Sequence, residues 1–502
     1  MTRMNRRHFL HGSAAVAATS AWNLTPRRAL AAETSWDFVI VGAGTAGLPA
    51  AIFASRRGAR VLLVDAAHEI GGNLHLANGQ ISAGGTKLQH SLGIVDTPRV
   101  HYDDIMRISK GSADPDMVRL AVNNATATVD WLIDAGLKPL AGHPIIGEMP
   151  GRPAYSRRRY LWGEHEGRDI LAVVNHELAP EIASGRVVTQ LATEVTSLIT
   201  NDHGDVEGVR ASSGDREFIF RGRHVLLTTG GYASNPEMFK RLCGYNNYVA
   251  ASYPFAKGQG IDLAVSVGGY VHGREQYRGG FGSILADERY PTKVMARFIT
   301  VPQERPPWEI WVNANGERFI REDEPLVFAR ERALLHQADM RYWIVFDQAI
   351  FETAPPGVRG WTRERMAAAF GTHPYFKRAD TVEDLARQCE LDATTLLSTV
   401  AAYNAAVSNR RDPLGRQYLP HAIASAPFYA VRHQGHSASS AAGVAVDKAL
   451  RVVRGGGEPI RNLYAAGELL GSGVMMGNAF CGGMLLTPAL AFGRLLGSTL
   501  AV

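Results

Sequence analysis

Gly42, Gly44 and Gly47 stand at the spacing GxGxxG within "DFVIVGAGTAGLPAAIFASRRGARVLLVDAA", and Asp65 lies near the end of the same stretch. Glycines so spaced permit a tight turn and bring backbone close to a phosphate, and the helix that follows points its free N–H groups at the charge. An acid about 20 residues further on suits ribose hydroxyls. The chemistry is the holding of a dinucleotide, through Gly42, Gly44, Thr45, Ala46, Gly47 and Asp65. Thr229, Gly230 and Gly231 in "RHVLLTTGGYASNPEM" offer backbone to the same ligand, as does Val195. A last glycine-dense run, "AGELLGSGVMMGNAFCGGML", supplies Gly467 and the acid Glu468, then Gly483, Met484 and Leu485 opening a helix. The positive end of that helix would stabilise an anionic ring.

These groups need elements to hold them. Asp37 to Val41 reads as a buried strand, about 45 to 57 as a helix, and "RVLLVD" as a second strand. "DPDMVRLAVNNATATVDWLIDAGL" has helical spacing behind an acid-Pro start. "GRVVTQLATEVTSLITNDHGDVEGVRA" alternates like hairpin strands, with His-Gly-Asp as a turn. At 502 residues, two domains are expected.

The net charge of +5 points away from nucleic acid once its location is read. Arg3, Arg6, Arg7, Arg27 and Arg28 all fall in the first 31 residues, which hold no acid. The paired arginines, the weakly apolar run and the small residues at 29–31 resemble a twin-arginine export signal, so the machinery for folded proteins is an expected partner and the periplasm or exterior the destination. Without this segment the chain is near neutral. No remaining stretch has the ~20 apolar residues of a membrane span. Cys243, Cys389 and Cys481 are too few and scattered for a metal site, and no CxxCH attaches a haem.

After Asp65 comes "AAHEIGGNLHLANGQISAGGTKLQ". It resembles the flavin-cradling segment of the fumarate reductase and succinate dehydrogenase flavoprotein family. The resemblance implies FAD lying against Gly72, Asn73, Ala77 and Gly79. "LHLANG" around His75 lacks the Ser-His-Thr pattern of members that attach FAD covalently, so non-covalent FAD is expected. The implied fold is α/β: a Rossmann-like, glutathione-reductase-like FAD-binding domain over 36–277 and 436–502. An α+β capping domain, 278–435, would be inserted as a lid that excludes water.

The family's catalytic positions depart. Leu326 falls where its proton-donating arginine should stand, Phe480 aligns with the arginine that clamps substrate, and Ala438 and Ser439 with its paired histidines. An aromatic cannot hold a carboxylate. "VMMGNAFCGGMLLTPALAFG" instead resembles the ending of 3-ketosteroid dehydrogenases, although their tyrosine is also Phe480 here. The backbone of Gly482 and Gly483 remains as an oxyanion site. Candidates for proton transfer are His436, Tyr277, Tyr290 and Asn478, with Tyr160 beside them. Arg297, Arg305, Arg321 and Arg330 are the alternative, anion-clamping set. The expected activity is dehydrogenation or reduction of a CH–CH or CH=CH bond next to a carbonyl. The substrate would be mostly apolar, cyclic or aromatic, in a pocket furnished by Phe480, Met475, Met476 and Trp308. Electrons would pass through a separate carrier, a quinone or oxygen. A reductase of unsaturated carboxylates and an electron-shuttling flavoprotein are the other readings.

Overall fold

The computed structural model describes residues 35–148, 150–274 and 279–502; the expected export segment, 1–31, and Tyr277 lie outside the described residues. The chain begins with β1 (Trp36–Val41), α1 (Gly47–Ser55) and β2 (Val61–Val64), then adds β3 (Val187–Gln190) and β4 (Arg216–Leu227). It continues through β5 (Gly280–Leu285), β6 (Ile310–Val312), β7 (Arg341–Asp347), β8 (Phe376–Ala379) and β9 (Phe428–His436). It closes with β10 (Pro459–Ala465) and α2 (Leu486–Thr499).

The first sheet carries the parallel order β3-β2-β1-β4-β10. Phe38 pairs with Val61 on one side and His224 on the other, and Phe38, Val39 and Ile40 are fully buried. Burial on both faces explains why these strands read as unbroken apolar runs. Strands Glu194–Thr200 and Val206–Ser213 form the expected hairpin and extend it onto β4. The helix behind the acid-Pro start spans Pro115–Asp134, with the Asp114 carboxylate accepting the N–H groups of Asp116 and Met117.

Glycine sets the spacing of α1. A Cβ at Gly47 would stand 1.9 Å from the carbonyl oxygen of Gly42, so the helix could not lie this close to the turn with any side chain there. On the far side, a Cβ at Gly493 would stand 1.9 Å from the Ala46 oxygen, which lets α2 pack on α1.

The second sheet takes strands from 280–436 only, and its strands pair antiparallel. Its centre is β9, buried along its whole length, flanked by β7 on one side and by β8 then β5 on the other. A buried network ties its outer elements together: Glu322 accepts from Arg318 and Arg416, and Arg318 also reaches Asp412 at 2.6 Å. His436 is the last residue of β9 and pairs with Gly280, so it belongs to this second sheet.

Candidate functional site

Strands β1, β2, β4 and β10 end at one cavity of about 660 Å³. Ligands of parallel α/β sheets bind at this carboxyl edge. Gly42, Gly44, Thr45 and Ala46 line it from the turn into α1. Ala46 caps that helix without a side-chain hydrogen bond, and the first turn holds no acid. The N–H groups that Thr or Asp side chains satisfy on other helices here are left for an anion. A Cβ at Gly44 would meet only the Cα of Gly72, at 3.8 Å, so the space beside it belongs to the cavity.

Asp65 stands at the end of β2, its oxygens accepting the N–H groups of Ala43 (2.6 Å) and Ala67 (2.7 Å). Burial raises its pKa, and those two hydrogen bonds oppose the rise. Gly72, Asn73 and Ala77 form one wall, and Val195, Thr229, Gly230 and Gly231 another. The buried Thr229 hydroxyl has no partner among the described residues. Gly467 and Glu468 follow β10; Glu468 accepts the Ser440 N–H at 2.8 Å, and burial raises its pKa against that bond. Gly483 and Leu485 close the far end, where α2 begins behind Leu485, again without a capping side chain or an acid in its first turn. Two bare helix N-termini thus face one cleft, a donor set that fits FAD: α1 for its phosphates and α2 for the pyrimidine edge.

Three expected contacts stand off the lining. Gly47 is used in helix packing, and a Cβ at Gly79 would lie 2.3 Å from the backbone of Glu166. Met484 is buried. His75 is engaged through Nε2, which donates to the Ile70 carbonyl at 2.9 Å.

The proton-transfer candidates scatter. His436 meets Ser283 Oγ through Nε2 at 2.9 Å inside the second sheet and does not line the cavity. Burial, helped by Arg297, lowers its pKa to about 4. Tyr290 is half exposed, its hydroxyl bonded to Tyr375 (2.8 Å) and Arg432 (2.7 Å), away from the cleft. Asn478 donates its backbone N–H to Ser112 and is absent from the lining, as are Met475, Met476 and Trp308. Strand pairing and packing place these residues outside the lining of the cavity.

Three of the four cap arginines are also committed. Arg305 forms a two-point pair with Glu309, Arg321 pairs with Glu324, and buried Arg330 donates to the Thr300 carbonyl. Arg297 is exposed and does not line the cleft.

Arg152 stands at one end of the cleft, and Tyr160 lines a small neighbouring cavity rather than the cleft itself. Arg152 lines the main cavity together with Phe480, Ala438 and Ser439. Arg152 and Phe480 also wall a second cavity of about 20 Å³, which Tyr160 and Gly482 complete. The Tyr160 hydroxyl is buried without a hydrogen-bond partner among the described residues. Burial raises the pKa of that phenol well above its ordinary value, and the charge of Arg152 opposes the rise. The ring packs on Gly482, where a Cβ would come within 2.9 Å of it. Arg159 fixes this segment: its buried guanidinium binds Asp96 at 2.8 and 2.9 Å and Asp104 at 2.9 Å. "GRPAYSRRRY" carries no periodicity, so nothing in it marked Arg152 beforehand.

Comparison with known proteins agrees with this geometry. The family described as FAD binding domain matches residues 37–485. A fumarate reductase (cytochrome) of Shewanella frigidimarina is 27% identical, covering 93% of this chain and 77% of its own. A vinyl phenol reductase of Lactiplantibacillus plantarum is also 27% identical, over 88% of this chain and 90% of its own. The crystal structure of 3-ketosteroid delta1-dehydrogenase from Sterolibacterium denitrificans superposes with a TM-score of 0.69 at 20% identity, covering 92% of this chain and 98% of its own.

Proposed function

The chain belongs to the FAD-binding domain family as an FAD-dependent oxidoreductase, and on that premise we propose that it adds or removes hydrogen across a carbon–carbon bond next to a carbonyl. The observation that carries this reading is the continuity of one cleft: the cofactor cradle runs on to an end walled by Phe480, Ala438, Ser439 and Arg152. Bound FAD supplies the hydride for reduction or accepts it in dehydrogenation.

The chain's own residues orient and protonate. Phe480 and the small side chains of Ala438 and Ser439 offer a planar, cyclic or aromatic substrate a flat apolar seat. Backbone N–H groups at Gly482 and Gly483 face the developing oxyanion. Tyr160 carries the proton for the carbon next to the carbonyl. Its phenol is neutral, has no competing partner among the described residues, and borders a cavity large enough for one water molecule to relay the proton. The segment 278–435 acts as the cap that closes over this end, holding it through the Val327 N–H, which donates to the Gly151 carbonyl at 3.0 Å. Residues 1–31 direct export of the folded, FAD-loaded protein, and a separate carrier exchanges its electrons. FAD is held without a covalent bond.

The relatives named above act on vinyl phenols and fumarate by their names, and both names describe addition of hydrogen to C=C. The test is reduction of conjugated cyclic and aryl carbonyl compounds in D2O by the chemically reduced protein. The reading expects two solvent deuteriums, one on each carbon of the former double bond, because the hydrogen that a chemically reduced flavin transfers in D2O also comes from solvent. Absence of any hydrogenated or dehydrogenated product across the panel refutes it.

A further inference from the structure

Arg152 is the cation that reaches the end of the cleft among the described lining residues. Its guanidinium lies 5.0 Å from the ring centroid of Phe480. An arginine over an aromatic face is held flat by attraction to the ring, with its fork of donors still directed outward. Its charge partner is Glu331 at 3.6 Å, too long for a hydrogen bond. Arg152 is thus aimed rather than spent. Arg305 and Arg318, by contrast, close two-point bonds onto carboxylates at 2.5–2.9 Å and 2.6–2.7 Å.

The backbone places Arg152 at this point. Gly151 has a φ of +73°, and a Cβ there would stand 2.3 Å from the Pro325 oxygen. Glycine lets 151–152 run directly under the 325–327 segment, where the Val327 N–H is bonded to Gly151. Gly151 thus meets the backbone on either side of Leu326 while Arg152 meets Phe480, the two positions where the resemblance puts the family's arginines. The charge returns to that place from another part of the chain.

We propose that Arg152 binds the carboxylate of a planar, conjugated acid whose ring or alkene lies along Phe480. This rests on the proposed C–C redox reading and names its substrate class. The guanidinium matches a carboxylate with two parallel N–H donors, which a neutral ketone oxygen cannot use. Without an anion, the substrate would bury against a charge whose pairing with Glu331 is 3.6 Å long, at a cost in desolvation. Glu331 holds the guanidinium until the substrate carboxylate takes its place.

The test is titration of the oxidised FAD-loaded protein with trans-cinnamate and with methyl cinnamate, followed by the flavin difference spectrum. The wild type is expected to bind the acid at least 30-fold tighter than the ester. Arg152→Ala should lose that preference by weakening the acid and leaving the ester unchanged, and Arg152→Lys should keep part of it. FAD content and flavin reduction potential should stay at wild-type values in both. Glu331→Gln, which removes the competing carboxylate, should tighten acid binding several-fold and serves also if Arg152→Ala fails to fold. An acid preference that survives Arg152→Ala overturns the proposal. So does a change confined to FAD affinity or potential, which would give Arg152 to the cofactor. Equal binding of acid and ester by the wild type overturns it while leaving the C–C reading standing; no binding or turnover of any conjugated compound ends both.

Discussion

Replacing Arg159 by Met strands a charge in the interior and tests how the end of the cleft is built. Arg159 and Asp96 have fully buried side chains, joined by two hydrogen bonds, and Asp104 takes the third. The carboxylates are not equally exposed to the loss. Asp104 keeps Arg107 at 2.6 Å and two bonds from Ser156; these and the Arg159 charge hold its pKa below the ordinary value although burial alone would raise it. Asp96 keeps only neutral donors, Gln89 Nε2 and the Thr97 N–H, both at 2.8 Å. Breaking a buried pair from one side costs about 3–5 kcal/mol, chiefly for the charge left behind. That loss should appear as a lower urea midpoint by circular dichroism at pH 7. Adding Asp96→Asn should recover more than half of it, and Asp104→Asn much less. Lowering the pH neutralises the stranded carboxylate, so the deficit against wild type should shrink toward acid. A loss under about 1 kcal/mol, or a deficit indifferent to both Asn substitution and pH, would refute the reasoning.

Tyr160→Phe should fold normally, since its hydroxyl has no partner among the described residues, yet lose about 10²–10⁴-fold in kcat with little change in KM; an unchanged kcat removes Tyr160 from proton transfer. Gly44→Ala should release FAD from a stable protein, whereas Gly47→Ala should lower the urea midpoint as well, because only the second Cβ would strike backbone, at 1.9 Å; comparing flavin content with stability separates the two. Burial and Arg297 push His436 down to about 4, so the unfolded chain takes a proton near pH 6.5 that the folded chain refuses. Stability should therefore fall as pH drops from about 6.5 to 4, by about 3 kcal/mol from this residue, and His436→Gln should flatten that limb of the unfolding profile.

The cofactor cradle was legible because its signals are local. A glycine that lets a helix approach a turn, a helix opening without a cap and an acid at a strand end are each written in neighbouring residues, and Gly42, Gly44, Thr45, Ala46, Asp65 and Gly483 all line the cleft. The end of the cleft beside Phe480 was not legible in that way. Every residue of β9 is buried, so no alternation reveals which side His436 takes, and pairing with β5 sets it beside Ser283. Phe480 was recognisable as a lost arginine, but its new partner stands over 300 residues earlier in a loop without pattern. The cap arginines Arg305, Arg321 and Arg330 looked available in sequence because their partners, Glu309, Glu324 and the Thr300 carbonyl, meet them only in the folded chain.

The measurement that bears most directly on the account is anaerobic flavin absorbance of the purified protein. The oxidised form is titrated with saturated cyclic and aryl carbonyl compounds, and the reduced form with their unsaturated counterparts. The account predicts that at least one matched pair bleaches the flavin in one direction or restores it in the other. If no compound alters the flavin while an electron carrier alone reduces and reoxidises it, the protein shuttles electrons and the proposed C–C chemistry is contradicted.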